Sequence, residues 1–382
     1  MATVAIIACD SYEPGTVKAA VSRGLSLLGG MENFIDKTEK VLLKPNLLSA
    51  SPPEKCVTTH PAVFRAVAES ALEAGAVVSY GDSPAIGGFR NAARRAGLAA
   101  VARDLAIGIA DFRTGVEVSF PEGKQNRTFT VARGVLESDG IISLPKFKTH
   151  GFQKITGAVK NQFGCIPGIL KGEYHVKLSD AMDFAKMLVD VARFVNPRLF
   201  IMDGIDAMEG NGPGSGTPKR LGVILLSSDP VALDATACRL VDLNFRLVPA
   251  ILYGGHFGLG TFQEEEIDLL GDDISSLVRS DFDVDRSPIR PYRKGGMTRF
   301  LSNALVPKPV IVKRKCIRCG LCVEMCPAVP KALLWFDGDC SKPPHHDYSC
   351  CIRCYCCQEV CPEGAIELQV PLMRSILNPL IT

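Results

Sequence analysis

Between Cys316 and Pro362 one pattern occurs twice. Cys316, Cys319, Cys322 and Cys326 are followed by Pro327, and Cys351, Cys354, Cys357 and Cys361 by Pro362. Both copies read C-x2-C-x2-C-x3-C-P, a spacing that wraps three thiolates around one face of a [4Fe–4S] cube. The x3 spacer and the proline turn the fourth thiolate away from its own copy, so it serves the other. Cys316, Cys319, Cys322 and Cys361 are thus expected to hold one cluster, and Cys351, Cys354, Cys357 and Cys326 the second. A lone C-x2-C pair would equally suit zinc or a redox dithiol. Two zinc sites are the competing reading. Two complete copies, each closed by a proline, stand against it, so two [4Fe–4S] clusters are the expected cofactors.

With these motifs in view, residues 307–370 resemble a bacterial-type ferredoxin domain with two clusters. Cys361-Pro362-Glu363-Gly364-Ala365-Ile366 is close to that family's ending. The first half departs from it: Ala328-Val329-Pro330-Lys331 replaces the usual compact turn, and a longer insert runs on to Cys350. The departure touches loop geometry and leaves the ligands in place.

The whole chain has 382 residues, room for two or three domains. Hydrophobic residues make up 47%, enough for a substantial core. With 43 basic and 41 acidic residues the net charge is +2, which argues against a general nucleic-acid binder. No basic leader with an apolar core opens the sequence, and no apolar run reaches bilayer length. Fifteen cysteines, eight of them claimed by the clusters, fit a reducing cytoplasm better than a disulfide scaffold.

Upstream, strands alternate with helices. Val4–Ala8, Lys40–Leu43, Ala76–Tyr80, Gly140–Leu144, Leu199–Met202 and Leu221–Leu226 read as strands. Pro14–Leu28, a segment from His60-Pro61 to Glu73, and Leu178–Phe194 read as helices. Asp229-Pro230 reads as a helix N-cap followed by proline at the first helical position. The fold class expected is α/β, a mostly parallel sheet flanked by helices, plus a small C-terminal α+β ferredoxin-like domain. The expected divisions are 1–270 for the α/β domain, 271–306 for an irregular connector, and 307–382 for the ferredoxin domain with a short tail.

In open α/β sheets ligands bind beyond the carboxyl ends of the strands. Those ends carry Lys44-Pro45-Asn46, Gly81-Asp82-Ser83-Pro84, Lys146-Phe147-Lys148-Thr149-His150, and Asp203 with Glu209. Lys146, Lys148, Lys154, Lys160 and Lys171, with His150 and His175, form a basic segment suited to an anionic ligand if they converge. The lysines are equally readable as a solvated face, and His150 as an ordinary histidine. Asp82-Ser83-Pro84 reads either as a turn or as a ligand contact. The Gly210–Gly216 loop lacks a phosphate-loop ending and reads as a lid or a plain loop, with anion binding as the alternative. Cys165 reads as a packed thiol. Cys340, Cys350 and Cys356 fall outside the cluster frame and read as non-ligands.

These strings, in this order and beside a ferredoxin module, resemble the family catalogued as domain of unknown function 362, over roughly residues 1–255. The resemblance marks Lys44, Asn46, Asp82, Ser83, Lys146, Lys148, His150, Lys160, Asn161 and Glu209. It supports the architecture and carries no settled reaction. The working assignment makes Lys146, Lys148 and His150 catalytic, with the lysines exposed in a cleft. Lys44, Asn46, Asp82, Ser83, Lys160, Asn161 and Glu209 would bind substrate.

Three functions compete. One is a reductase passing electrons from the clusters to an anionic substrate or partner group. Another is a non-catalytic electron carrier that docks a larger redox partner protein. The third is a ligand-binding, cluster-handling or metal-handling protein. The number and variety of polar strand-end residues favour the first.

Overall fold

The computed structural model describes residues 1–168, 170–290 and 304–371. Its body is a mixed sheet of ten strands among those residues. In chain order they are β1 (Ala2–Ala8), β2 (Lys40–Pro45), β3 (Val77–Tyr80), β4 (Gly108–Ile109), then a separate hairpin of β5 (Gly115–Ser119) and β6 (Thr128–Ala132). There follow β7 (Gly140–Leu144), β8 (Lys146–His150), β9 (Lys154–Thr156), β10 (Leu199–Glu209), β11 (Thr217–Ser227) and β12 (Ile267–Gly271). The main path runs β12-β1-β11-β10-β7-β2-β3-β4, and β8 and β9 branch from β10. Most pairings are parallel; β11 against β1 and β10, and β9 against β8, are antiparallel.

Local chemistry accounts for the helix starts. Asp180 opens the helix Ala181–Val195 by accepting from the Met182 and Asp183 amides, and Asp229 opens Pro230–Leu240 by accepting from Val231 and Ala232. Proline occupies the first turn of Pro230–Leu240, Pro14–Leu27 and Pro61–Glu73. The Ala181–Val195 helix buries Phe184, Met187, Leu188, Val191 and Val195, a helical stripe. Each such side chain contributes about 1.5–3 kcal/mol by leaving water. β7 is buried on both faces, as a central parallel strand must be.

Several expectations shift in detail. The helix expected from Leu178 starts at Ala181, because the Asp180 cap fixes its first turn. The strand expected to end at Met202 continues to Glu209, crossing a register shift between Gly204 and Asp206. Lys146–His150, expected at the carboxyl end of the strand Gly140–Leu144, is itself β8, pairing with β10 and β9. Residues 271–290, expected as irregular connector, carry the short helix Ile274–Leu277 and pack on the body, with Leu277, Phe282 and Val284 buried in its core. Residues 291–303 of the expected connector and 372–382 of the expected tail lie outside the described residues.

In the C-terminal module Lys308–Ile311 pairs antiparallel with Ile366–Gln369. Short helices Leu321–Glu324 and Cys356–Glu359 carry the central cysteines of the two motifs. Among the described residues no helix is long and apolar enough to cross a membrane.

Candidate functional site

The carboxyl edge of the sheet holds two buried polar networks. In the first, Lys44 Nζ lies 3.0 Å from Asp82 Oδ1 and also donates to Asn161 Oδ1 at 3.3 Å and to the Pro45 carbonyl at 3.1 Å. Asn161 donates to Ser143 Oγ, and Asn46 donates to Asn161 Oδ1. Asp82 also accepts from the Leu47 and Ser83 amides, so it is at once turn former and ion-pair partner. This crowding explains Gly164: a Cβ there would sit 1.9 Å from Asp82 Oδ1 and 2.5 Å from Lys44 Nζ.

The second network is centred on Asp203. Lys146 Nζ lies 2.9 Å from Asp203 Oδ2, Tyr12 donates to Oδ1 at 2.8 Å, and the His60 amide donates to Oδ2 at 2.9 Å. The Tyr12 and His60 rings stack at 3.6 Å. Burial, reinforced by Asp203, holds the Tyr12 hydroxyl far above its ordinary value; burial also lowers His60 to about 4.

Lys146 and Lys148 are therefore not exposed cleft residues. Each is about 1% exposed, and the strand pairing of β8 turns both inward. Lys148 Nζ is spent on the Val57 carbonyl at 2.7 Å, and burial with Lys160 and Lys146 nearby drives its pKa well down. Lys154 pairs with Asp285 at 2.6 Å. Glu209 is also elsewhere, accepting from the Asp283 amide.

What does converge is a cavity of about 150 Å³ between the α/β body and the C-terminal module. From the body come Asn46, Asp82, Ser83, Thr156, Lys160, Asn161, Phe163, Lys171 and His175; from the module come Met325, Cys356, Glu359 and Val360. The four module residues flank Cys326, Cys357 and Cys361 in sequence. Asn46 Oδ1, Thr156 Oγ1 and His175 Nδ1 are buried here with no hydrogen-bond partner. Unpaired buried polar atoms are costly, and so such a set marks a place built to meet something else.

The cavity lining sets Lys160 and Lys171 against Asp82 and Glu359. Burial lowers the Lys160 pKa, against the opposing pull of Glu359; burial brings Lys171 to about 8, with Asp82 opposing. Lys171 also donates to the Ser83 carbonyl. His175 stacks on Phe184 and is held near 4 by burial. Beside the cavity His150 Nε2 lies 3.0 Å from Glu359 Oε1, away from the alignment of a good hydrogen bond. His150 Nδ1 accepts from the Phe152 and Gln153 amides, which leaves Nε2 to carry the proton toward Glu359. Burial raises the Glu359 carboxyl, but His150 and Lys160 outweigh it and bring the pKa to about 2.

The Gly210–Gly216 loop is neither lid nor anion cradle: it is the dock for the module. Gln358 Nε2 donates to Asn211 Oδ1 at 2.8 Å and to the Asn211 and Gly212 carbonyls at 3.0 Å. Asn211 in turn donates to the Ile366 carbonyl, and Ser215 to that of Cys361. Sequence reasoning missed Gln358, Glu359 and Cys356 because their value lies in the opposing surface. The signal was weak: polar residues inside a cysteine motif.

All fifteen cysteines are free. Cys316, Cys319, Cys322 and Cys361 line one small pocket, and Cys326, Cys351, Cys354 and Cys357 line another. The fourth sulfurs match each other: Cys326 Sγ accepts from the Ala332 amide and Cys361 Sγ from Ala365. Cys165, by contrast, is buried in the core with its thiol pushed up to about 12 by burial.

Residues 41–239 match the model of a domain of unknown function, DUF362, and residues 309–329 match a 4Fe–4S binding domain. Over 258 residues the chain is 37% identical to the thylakoid-associated protein sll1697 of Synechocystis, covering 67% of this chain and 80% of that protein. Among solved structures, the lactate racemase apoprotein of Thermoanaerobacterium thermosaccharolyticum aligns at 12% identity and a TM-score of 0.40, over 63% of this chain and 56% of that one. A Thermotoga maritima protein aligns at 12% identity and 0.33, over 59% and 57%. The chain thus spans little more than half of those two solved chains. The 4Fe–4S match supports an iron–sulfur electron-transfer role. With more than half of its length inside the first model, the chain belongs to the DUF362 family and carries a ferredoxin-type 4Fe–4S module alongside that domain.

Proposed function

We propose that the chain is an iron–sulfur oxidoreductase that holds an anionic substrate in the cavity between its two parts and supplies it with electrons through two [4Fe–4S] clusters. One observation carries this reading: a single cavity is walled by Lys160, Lys171 and His175 on one side and by neighbours of cluster-motif cysteines on the other. The grouping of the thiols supports the two clusters. Four thiols line each pocket, and the fourth comes from the other motif in both. The backbone donors to Cys326 and Cys361 would stabilise the charged sulfurs.

In this reading Lys160 and Lys171 bind the anion, and Asn46, Thr156 and His175 orient it through their unpaired polar atoms. Lys44, Asp82 and Asn161 hold the wall in place. Lys146 and Lys148 support the strand ends from within, and His150 positions Glu359. The free cysteines support a reducing compartment, the cytoplasm in our reading.

The test is retention of a ligand. The iron-loaded chain is equilibrated anaerobically with a cellular metabolite extract, and what it keeps is identified by mass spectrometry. An acid retained by the parent, lost from Lys160→Met, and able to reoxidise dithionite-reduced parent would support the reading. If nothing differs and Lys160→Met delivers electrons to a protein acceptor as well as the parent does, the electron-carrier function takes first place.

A further inference from the structure

The two cysteine sets differ in exposure. Cys351, Cys354 and Cys357 are buried and Cys326 is half-buried; of the other set Cys322 is buried, Cys316 and Cys361 are half-buried, and Cys319 is exposed. The stretch of sequence leading to Cys319 is basic. Lys313, Arg314, Lys315 and Arg318 are all exposed, and no acid occurs between Lys308 and Cys319. In its middle stands Ile317, 58% exposed although it is a large apolar side chain. An apolar anchor ringed by polar charge is the anatomy of a protein-binding patch.

Lys315 is compensated by Glu367 at 2.7 Å, and Arg318 donates to the Ser341 carbonyl while keeping its charge. Glu363 lines the same pocket as Arg318 and Ile317. Lys313 and Arg314 enter no ion pair among the described residues, so the rim keeps a positive excess on the side of Cys316 and Cys319.

We propose that this face, Lys313 to Cys319, docks an acidic one-electron carrier protein and exchanges electrons with it through the adjoining cluster. The inference rests on the cluster reading above and names the partner class for it. The carrier's own redox group loses one electron for each one the cluster gains, or the reverse. The module has two sides: Cys319 is exposed on the basic face, and Met325, Cys356 and Val360, which flank Cys326, Cys357 and Cys361, line the interdomain cavity. Ile317 would seat against the apolar surround of the carrier's redox centre, and the cations would steer the approach.

The experiment uses the iron-loaded full chain and flavodoxin, an acidic one-electron carrier. Iron content and bleaching by dithionite are measured first, then flavodoxin binding by plasmon resonance and cluster reduction by flavodoxin hydroquinone in stopped flow. The Lys313→Glu, Arg314→Glu double variant should match the parent in iron and in dithionite bleaching. It should bind flavodoxin and accept its electrons about tenfold or more slowly at low ionic strength, the gap closing as salt screens the patch. Ile317→Ser should weaken binding at every ionic strength. Equal binding and equal rates in parent and variants would overturn the proposal. So would unchanged flavodoxin kinetics combined with loss of binding to phosphatidylglycerol vesicles, which would make the patch a membrane contact. A parent without iron would overturn the cluster reading and this inference together.

Discussion

His150 Nε2 sits 3.0 Å from Glu359 Oε1, and this contact joins the end of β8 to the short helix that carries Cys357. The carboxylate also answers the charge of Lys160 across the cavity. Glu359→Ala should therefore loosen the module from the body, costing about 1–3 kcal/mol as buried partners lose their counterpart. Gln358→Ala should do the same by stranding the Asn211 and Gly212 carbonyls. Anaerobic urea unfolding would reveal it, as a lower midpoint or a separate early transition of the module. Parent-like curves for both variants would show that the dock contributes nothing.

Lys146 behaves as a structural residue in this account. Lys146→Ala leaves Asp203 as a fully buried carboxylate with one partner fewer, a loss of about 3–5 kcal/mol. Adding Asp203→Asn to a Lys146→Met background should recover part of that loss, since the stranded charge is gone. Thermal melts of the three variants decide. A Lys146→Ala chain as stable as the parent but inactive would return the lysine to the catalytic list.

Asp234 sets a pH dependence on stability. Its carboxylate accepts from the Ala158 and Val159 amides inside the core, and burial raises its pKa from 3.8 to about 7. The folded chain thus holds a proton there that the unfolded chain has released. The contribution is complete below about pH 4 and is lost as pH rises through 7, at up to about 1.4 kcal/mol per unit. Asp234→Asn, which keeps an acceptor oxygen without the charge, should flatten that slope. Urea midpoints from pH 5 to 8 test it; identical slopes in parent and variant would refute it. A methyl group at Gly157 would lie 2.1 Å from the same carboxylate, which fixes glycine at that position.

Much of this was legible because it is periodic or local. Alternating strands and helices, Asp229-Pro230 as a helix start, and the two cysteine motifs are written in short stretches. Lys44, Asn46, Asp82, Ser83, Lys160 and Asn161 do meet at one sheet edge, as strand-end residues should. The burial of Lys146 and Lys148 was not legible. It depends on Asp203 and Val57, which lie 57 and 91 residues away in sequence. A lysine reads as solvated until its partner is known. The cavity was hidden for a similar reason: one side of its wall, Met325, Cys356, Glu359 and Val360, belongs to the module, and the Gly210–Gly216 loop gives no hint in sequence that Gln358 will bind it.

The crossing of ligands between motifs predicts an asymmetric loss. Cys326→Ser should damage the cluster of Cys351, Cys354 and Cys357 and leave that of Cys316, Cys319 and Cys322. Cys361→Ser should do the opposite. Electron paramagnetic resonance of the reduced variants, with iron counted per chain, separates the two. Loss of the Cys316 set in Cys326→Ser would contradict the assignment.

Anaerobic crystals measured at the iron absorption edge would locate the clusters directly. Two anomalous peaks per chain are expected, one among Cys316, Cys319, Cys322 and Cys361 and one among Cys351, Cys354, Cys357 and Cys326. A single iron peak, or peaks at the zinc edge in these positions, would contradict the two-cluster reading.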